Sequence, residues 1–459
     1  MPKRTNRSAF LMFLTVALSL LALFAGCASI PGGVDQMASE SKTAGREVTA
    51  LPTGPVSRAP SPTATPTVAA APAVEEQRGG PMVTQVPPTP RPTLTATPPA
   101  IPTAIPPAAP ASKPAASPGA ALPSVALVRE FAPEFREGDL SNLSFGVDGA
   151  LNLAGKPNGG YVASGELVSP VRSPDWAFTN VVLSWGATSP TSSGITVSVR
   201  ARSAGEWSGW YVMGIWRDGK GSSVRAQADS MGIVDVDTLV LSRPADAYQY
   251  RVAFESKYGN VSPSLDSLSV ALADTRRAAT SSGSALPAGW QRELPVPVES
   301  QVLQEPSVAW EICSATSLTM VLRYWGATVT VPQVYAGVRD GTTGIYGNWP
   351  LNTAYASELG FDAYVARAAS LDFVRAQIAA GRPVPISLKY QAGELSGAAL
   401  NSTGGHIVVV RGFTADGKAI LNDPAAPDLA SVRRVVSAEQ LEKVWLRSGG
   451  IAYVVSPGQ

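Results

Sequence analysis

The sequence predicts a multi-domain protein in which an all-β sandwich or jelly-roll domain precedes a domain of the α+β class. Three observations carry this. Between about 123 and 275, short alternating runs recur between Gly, Pro, Ser and Asp with no helical period. Beyond about 291, one stretch repeats apolar residues every three or four positions, and later stretches read as buried strands. Ahead of both, residues 28–122 contain no Phe, Trp or Tyr and are crowded with Pro, Ala, Thr and Ser. Such a segment cannot bury enough apolar area to offset its ordering entropy.

The 459 residues carry 36 Lys and Arg against 35 Asp and Glu, a net charge of +1. No basic stripe stands out, which argues against a nucleic-acid partner. The two cysteines are far apart and there is one histidine. No cluster has metal-ligand spacing, so neither a metal nor another cofactor is implied.

Residues 1–27 have the layout of an export signal: Lys3, Arg4 and Arg7, then an apolar run from Ala9 to Ala25. The run ends in Leu23-Phe24-Ala25-Gly26-Cys27, which resembles a bacterial lipobox, although Phe24 departs from the usual aliphatic residue. That resemblance implies lipidation of Cys27 and an anchor at the outer face of the cytoplasmic membrane. Residues 28–122 then form a disordered or polyproline-like stalk, spanning at most ~300 Å at about 3.1 Å per residue.

In the 123–275 domain the strand-like runs are 181–185, 195–202, 248–254 and 268–272. Trp207, Trp210 and Trp216 admit two readings. They form an exposed platform for a cell-wall or other glycan, or they fill the core, which is the commoner use of large aromatics. Residues 276–290 read as an exposed linker.

The 291–459 domain holds the candidate chemistry. Residues 313–325 read as a helix with apolar residues at 315, 318, 321, 322 and 325, ending at Gly326. Cys313 falls in its first turn, where unpaired N–H groups and the helix dipole favour a thiolate; the bland alternative is a buried small hydrophobe. His406 follows Gly404-Gly405 at the mouth of a buried strand, and Asp423 ends the next strand before Pro424. A hairpin of this kind brings Asp423 beside His406 to orient the imidazole. Further helices are expected near 350–359 and 370–380, and strands at 384–388, 407–410, 419–421 and 451–455.

Val296-Pro297-Val298-Glu299-Ser300-Gln301, the Cys313 helix, Gly405-His406 and Asn422-Asp423-Pro424 together resemble stand-alone papain-like cysteine peptidases related to the bacteriocin-processing (double-glycine leader) peptidases. The resemblance covers roughly 290–459. It implies that Cys313 is the nucleophile, His406 the proton carrier and Asp423 its orienting group. Gln301 would stabilise the oxyanion with the Cys313 N–H, and Gln304 competes for that role. The family often reads Cys-Gly-Pro or Cys-Ser-Pro where this chain has Cys313-Ser314-Ala315. The expected function is hydrolysis of peptide bonds in peptide or protein substrates at the cell surface. The alternatives are a peptidoglycan stem-peptide amidase or endopeptidase and a non-catalytic surface binding lipoprotein.

Overall fold

The structure, a computed structural model, describes residues 124–278 and 285–458. The export signal with Cys27, the stalk up to residue 122 and part of the 276–290 segment lie outside the described residues.

The N-terminal domain contains one short helix, α1 (Ala132–Phe135), among its strands. The first seven are β1 (Val125–Glu130), β2 (Asp139–Ser141), β3 (Leu143–Phe145), β4 (Leu151–Leu153), β5 (Ser164–Val168), β6 (Phe178–Thr188) and β7 (Ser193–Ser203). Then come β8 (Glu206–Trp207), β9 (Tyr211–Arg217), β10 (Lys220–Ser222), β11 (Gly232–Asp235), β12 (Thr238–Ala245), β13 (Ala247–Ser256) and β14 (Ser264–Ala273). One sheet is ordered β11-β12-β6-β14-β4-β3 with β1 beside β14; the other is β10-β9-β7-β13-β5-β2 with β8 beside β7. Val181, Leu183 and Trp185 of β6 share a core with Ile195, Val197 and Val199 of β7, so the two sheets pack face to face.

The runs expected at 181–185, 195–202, 248–254 and 268–272 are segments of β6, β7, β13 and β14. Trp216 fills the core, as expected of a large aromatic. Trp207 and Trp210 do not. They lie half-buried on the outer face, where the Arg200 guanidinium stands 4.6 and 4.7 Å from their ring centroids and that of Arg251 4.9 Å from Trp210. Cation–π stacking occupies these rings.

The C-terminal domain comprises α2 (Cys313–Tyr324), α3 (Val331–Val338), α4 (Trp349–Glu358), β15 (Phe361–Arg367), α5 (Asp372–Ala379), β16 (Val384–Tyr390), β17 (Thr403–Phe413), β18 (Ala419–Asn422), β19 (Arg433–Val436), α6 (Ala438–Arg447) and β20 (Ile451–Pro457). Its antiparallel sheet is ordered β15-β20-β16-β17-β18-β19. α3 and α6 were not foreseen. α6 did carry a signal: Ser437 accepts from the Gln440 N–H as its cap, and Leu441, Val444 and Trp445 form its buried stripe.

The first ten residues of β6 are all buried, which a strand with one solvent-facing side cannot show. Its inward row is bulky and its other row is small: Val182, Ser184 and Gly186, matched by Ser267, Ser269 and Ala271 of β14. That small row lets α4 and β15 lie directly on the sheet. Ser184 Oγ accepts the Val365 N–H at 2.9 Å. Glu358 Oε2 accepts the Ser189 N–H at 3.0 Å and the Trp216 indole N–H at 2.8 Å. Arg129 makes a two-pronged pair with Asp362 at 2.6 and 3.0 Å and stacks on Tyr364. Asp340, fully buried, accepts the Ser223 N–H at 3.0 Å. At Gly221 any Cβ would stand 2.4 Å from a Leu351 methyl across the boundary.

An interface of this kind couples the two domains. Thermal unfolding of 124–459 is expected in one calorimetric transition, and Glu358→Ala, which strips two donors of their acceptor, should destabilise that transition by about 1–3 kcal/mol. Two separate transitions, with only one moved by the substitution, would contradict the coupling.

Candidate active site

The helix carrying Cys313 is the centre of the C-terminal domain. Every residue from Cys313 to Leu322 is buried, so the polar side of the helix is not a solvated face but a packed one. Ser314 Oγ donates to Asn352 Oδ1 at 2.9 Å and lies 2.9 Å from Tyr453 Oη. Ser317 Oγ donates to the Ile407 carbonyl at 3.0 Å, and Thr319 Oγ1 to the Ala315 carbonyl at 2.8 Å. Ile312, the N-cap, has no side-chain acceptor, so the positive end of the helix is left facing the Cys313 position.

β17 and β18 deliver the other two groups. Their register pairs Val409 with Asn422. Continued one residue, it sets Asp423 diagonal to His406 with both side chains on one face, a separation that an imidazole can bridge. His406 Nε2 lies 2.8 Å from Asp423 Oδ1, with both side chains 1% exposed. This leaves Nδ1 for the other side, and the ring also hydrogen-bonds the Cys313 side chain. Asp423 is held in turn: Oδ2 accepts the Ala399 N–H at 2.9 Å, and Oδ1 the Ala425 N–H at 3.1 Å.

These contacts set the charges. Burial pushes the imidazole pKa down, but the Asp423 carboxylate, its hydrogen bond and the contact with Cys313 outweigh burial and hold His406 up at about 10. Burial pushes Asp423 up, and the His406 charge and the donated hydrogen bonds more than reverse this. The favoured state is therefore an imidazolium beside a carboxylate. In linkage terms, the raised His406 pKa gives a stabilisation that is complete below the ordinary imidazole value of 6.5 and is lost as pH climbs through about 10. The lowered Asp423 pKa gives one that is present above the ordinary carboxylate value of 3.8 and is lost as pH falls through its depressed one.

Gln301 reaches the same place by its backbone. Its N–H donates to the Pro424 carbonyl at 2.8 Å, and Ser300 Oγ donates to the Ala426 carbonyl at 2.5 Å. The residue is buried, and its Oε1 finds no hydrogen-bond partner among the described residues. Gln304, its competitor, spends its amide on the Ser300 carbonyl at 3.1 Å. His406 is thus bonded to both Cys313 and Asp423, and the Gln301 backbone is tied to the turn after Asp423, whereas Cys27 lies outside the described residues. Among the described residues no group of His, Cys, Asp and Glu is placed to hold a metal ion, and no helix is long and apolar enough to cross a membrane.

Residues 293–453 match the Peptidase_C39 like family, and residues 150–273 match the Peptidase C39 N-terminal domain. These matches support a C39-family cysteine peptidase. The second match assigns the β domain to the same setting, a link that no residue in its sequence had revealed. Among solved structures, a C39-like peptidase from Bacillus anthracis is similar at 20% identity over 36% of this chain and 98% of its own, with a TM-score of 0.29. The C-terminal CBM6 of LamC, a laminarinase from Zobellia galactanivorans, is similar at 16% identity over 32% of this chain and 98% of its own, with a TM-score of 0.19. No curated protein matches the chain.

His406 is the sole histidine, so its ring protons give a single traceable NMR signal. Titrating wild-type protein should show a midpoint far above 6.5, near 10, and Asp423→Asn should drop it below 6.5, where burial alone sends it. A wild-type midpoint at the ordinary value would refute the charged pair.

Proposed function

We propose that the C39-like domain hydrolyses peptide bonds through Cys313, His406 and Asp423, within a papain-like α+β arrangement, and that the chain works outside the cytoplasmic membrane on an acyl anchor at Cys27. The observation that carries the catalytic part is the His406 ring, bonded at Nε2 to Asp423 and in contact with Cys313 at the start of a helix with no capping side chain. The external location rests on the sequence of residues 1–27 and on the long Pro-rich segment after it.

In the first step the Cys313 sulfur attacks the substrate carbonyl carbon, its proton having passed to His406. The negative charge that develops on the carbonyl oxygen falls to the Cys313 N–H and the Gln301 amide. The C–N bond then breaks, His406 returns its proton to the departing amine, and a thioester remains on Cys313. Water loses a proton to His406 and attacks the thioester carbon, which releases the carboxylic acid and the thiol. Asp423 stays ionised throughout and keeps the ring turned toward Cys313. The substrate is a peptide or protein that presents an extended backbone to the cleft.

Iodoacetamide should alkylate Cys313 rapidly well below the free-thiol range of about 8.5, and His406→Ala should slow this labelling. Labelling only above that range, unchanged by His406→Ala, would sink the proposal. On any cleaved peptide from a library that includes Gly-Gly sequences, Gln301→Ala should lower kcat by about 100- to 1,000-fold. Gln304→Ala should change it by less than about threefold; the reverse ranking would transfer the oxyanion role to Gln304.

A further inference from the structure

The hairpin joining β11 to β12 carries the most unusual residue of the N-terminal domain. Asp235 pairs with Thr238, which leaves a two-residue turn of Val236 and Asp237. Tight turns place Gly or Asn where φ is positive, yet here Val236 sits at φ 55°. A β-branched residue in that region is strained, and such strain persists only where surrounding structure imposes it. What it achieves is delivery of Asp237 into the C-terminal domain. Asp237 is 6% exposed, and its Oδ2 accepts the N–H of Trp349, the first residue of α4, at 3.0 Å. Its Oδ1 accepts from its neighbour Thr238 at 3.1 Å.

The surroundings of Asp237 lead to Cys313. Tyr453 of β20 feels the charges of both Asp237 and Cys313, and its hydroxyl meets Ser314 Oγ at 2.9 Å. Ser314 also bonds Asn352, which stands on the same helix α4 whose first N–H Asp237 holds. Cys313 itself packs in one cluster with Val182 and Ala271 of the β domain and with Tyr453 and Ile407. One bonded path therefore joins a carboxylate of the β domain to the first turn of the Cys313 helix, from Asp237 through the start of α4 and Asn352 to Ser314.

We propose that Asp237 is a positioning residue for the Cys313 centre, fixing the start of α4 and, through Asn352, the Ser314 hydroxyl that Tyr453 also meets, so that the peptidase site is complete only with the β domain in place. This rests on the peptidase reading above. The charged and titratable groups facing Asp237 are Asp235 on its own hairpin, Arg367 of β15 and Tyr453 of β20. Burial raises the Asp237 pKa to about 7, with Asp235 adding to the rise; the Trp349 N–H, the Thr238 hydroxyl and the Arg367 charge oppose it. Arg367 is buried too, and its Nε finds no hydrogen-bond partner among the described residues. The ionised carboxylate is the form that holds Trp349 and balances Arg367. The sign follows: positioning is strongest above about 7 and weakens as pH falls through that value.

The test uses the full chain and reads the rate of Cys313 alkylation by iodoacetamide from pH 5.5 to 8.5, so it needs no substrate. After correction for the thiolate fraction, wild type should gain about tenfold across a step near pH 7. Asp237→Asn should be slower by about tenfold at pH 8 and lack that step, and Tyr453→Phe should shrink it while leaving the melting temperature within a few degrees. A purely structural residue would lower stability and scale the profile without moving its shape. If Asp237→Asn keeps the step, or wild type lacks one, the proposal is wrong. Should Asp237→Asn fail to fold, the wild-type step and its change in Tyr453→Phe decide alone. Slow labelling of wild type at every pH below 8 would overturn the peptidase reading and this one with it, whereas a missing step with fast labelling overturns this one only.

Discussion

The pair formed by His406 and Asp423 is the constraint on which the site depends. A single charge buried to this degree would cost several kcal/mol, so each side chain keeps its charge only because the other is there; alone, the imidazole would turn neutral. The pair becomes affordable because Asp423 is almost fully engaged, with His406, Ala399 and Ala425 all donating to its oxygens. Those donors come from different segments, and the following turn also anchors Ser300 and Gln301 through the Ala426 and Pro424 carbonyls. One buried carboxylate therefore fixes the positions of β17, the loop before it, the turn after β18 and the strand-like entry at 296–301. A loosened Asp423 would not merely mis-set a pKa; it would release the geometry of every candidate catalytic group at once.

The second constraint is the small row on β6 and β14. A sheet that must face another sheet on one side and a helix on the other cannot carry bulk on both. Here the bulk is placed inward, at Val181, Leu183 and Trp185, and the outward row is cut down to Ser184, Gly186, Ser267, Ser269 and Ala271. The gain is close approach, which brings the Val365 N–H to the Ser184 hydroxyl and Val182 against the Cys313 cluster. The polar backbone that this approach buries is satisfied across the boundary by Ser184, Glu358, Asp340 and Asp237. These contacts pack the N-terminal domain directly against the elements that surround Cys313.

Much of this was legible in the residues, and the limits follow a physical pattern. The Cys313 helix, the strand behind His406 and the Asn-Asp-Pro stop are local features, written in period and turn chemistry, and the hairpin register then follows from adjacency in sequence. β19 was missed because it is four residues long with only Val436 buried, and β15 because its Phe-Asp-Ala-Tyr start does not read as a continuous apolar run. α3 did carry a start signal, Thr330 and Gln333 in a capping box with Pro332 in the first turn, which went unread. The Cys313 helix was read from its apolar stripe at 315, 318, 321, 322 and 325; only the partners supplied by Asn352, Tyr453 and Ile407 show that the row of Ser314 and Ser317 is core as well. Trp207 and Trp210 were unreadable for a related reason: whether a ring is core or surface depends on which arginines reach it. Asp237 lay wholly outside sequence reasoning, since nothing near it hints that a hairpin tip crosses into another domain.

The departure at Ala315 is where sequence and structure bear on each other most directly. A proline near the start of a helix pre-sets φ and lowers the entropy lost in forming the first turn. Ala315 provides no such restraint, and Ile312 provides no capping side chain. The first turn is instead held from outside: Ser314 is bonded by Asn352 and Tyr453, and Asn352 is itself braced by donating to the Tyr346 and Asn348 carbonyls at 2.9 and 2.8 Å. The order that proline would build into the backbone is thus supplied by side chains from α4 and β20. The difference matters for control. A backbone restraint is permanent, whereas a restraint made of hydrogen bonds transmits whatever moves its partners, and here those partners lead to the β domain.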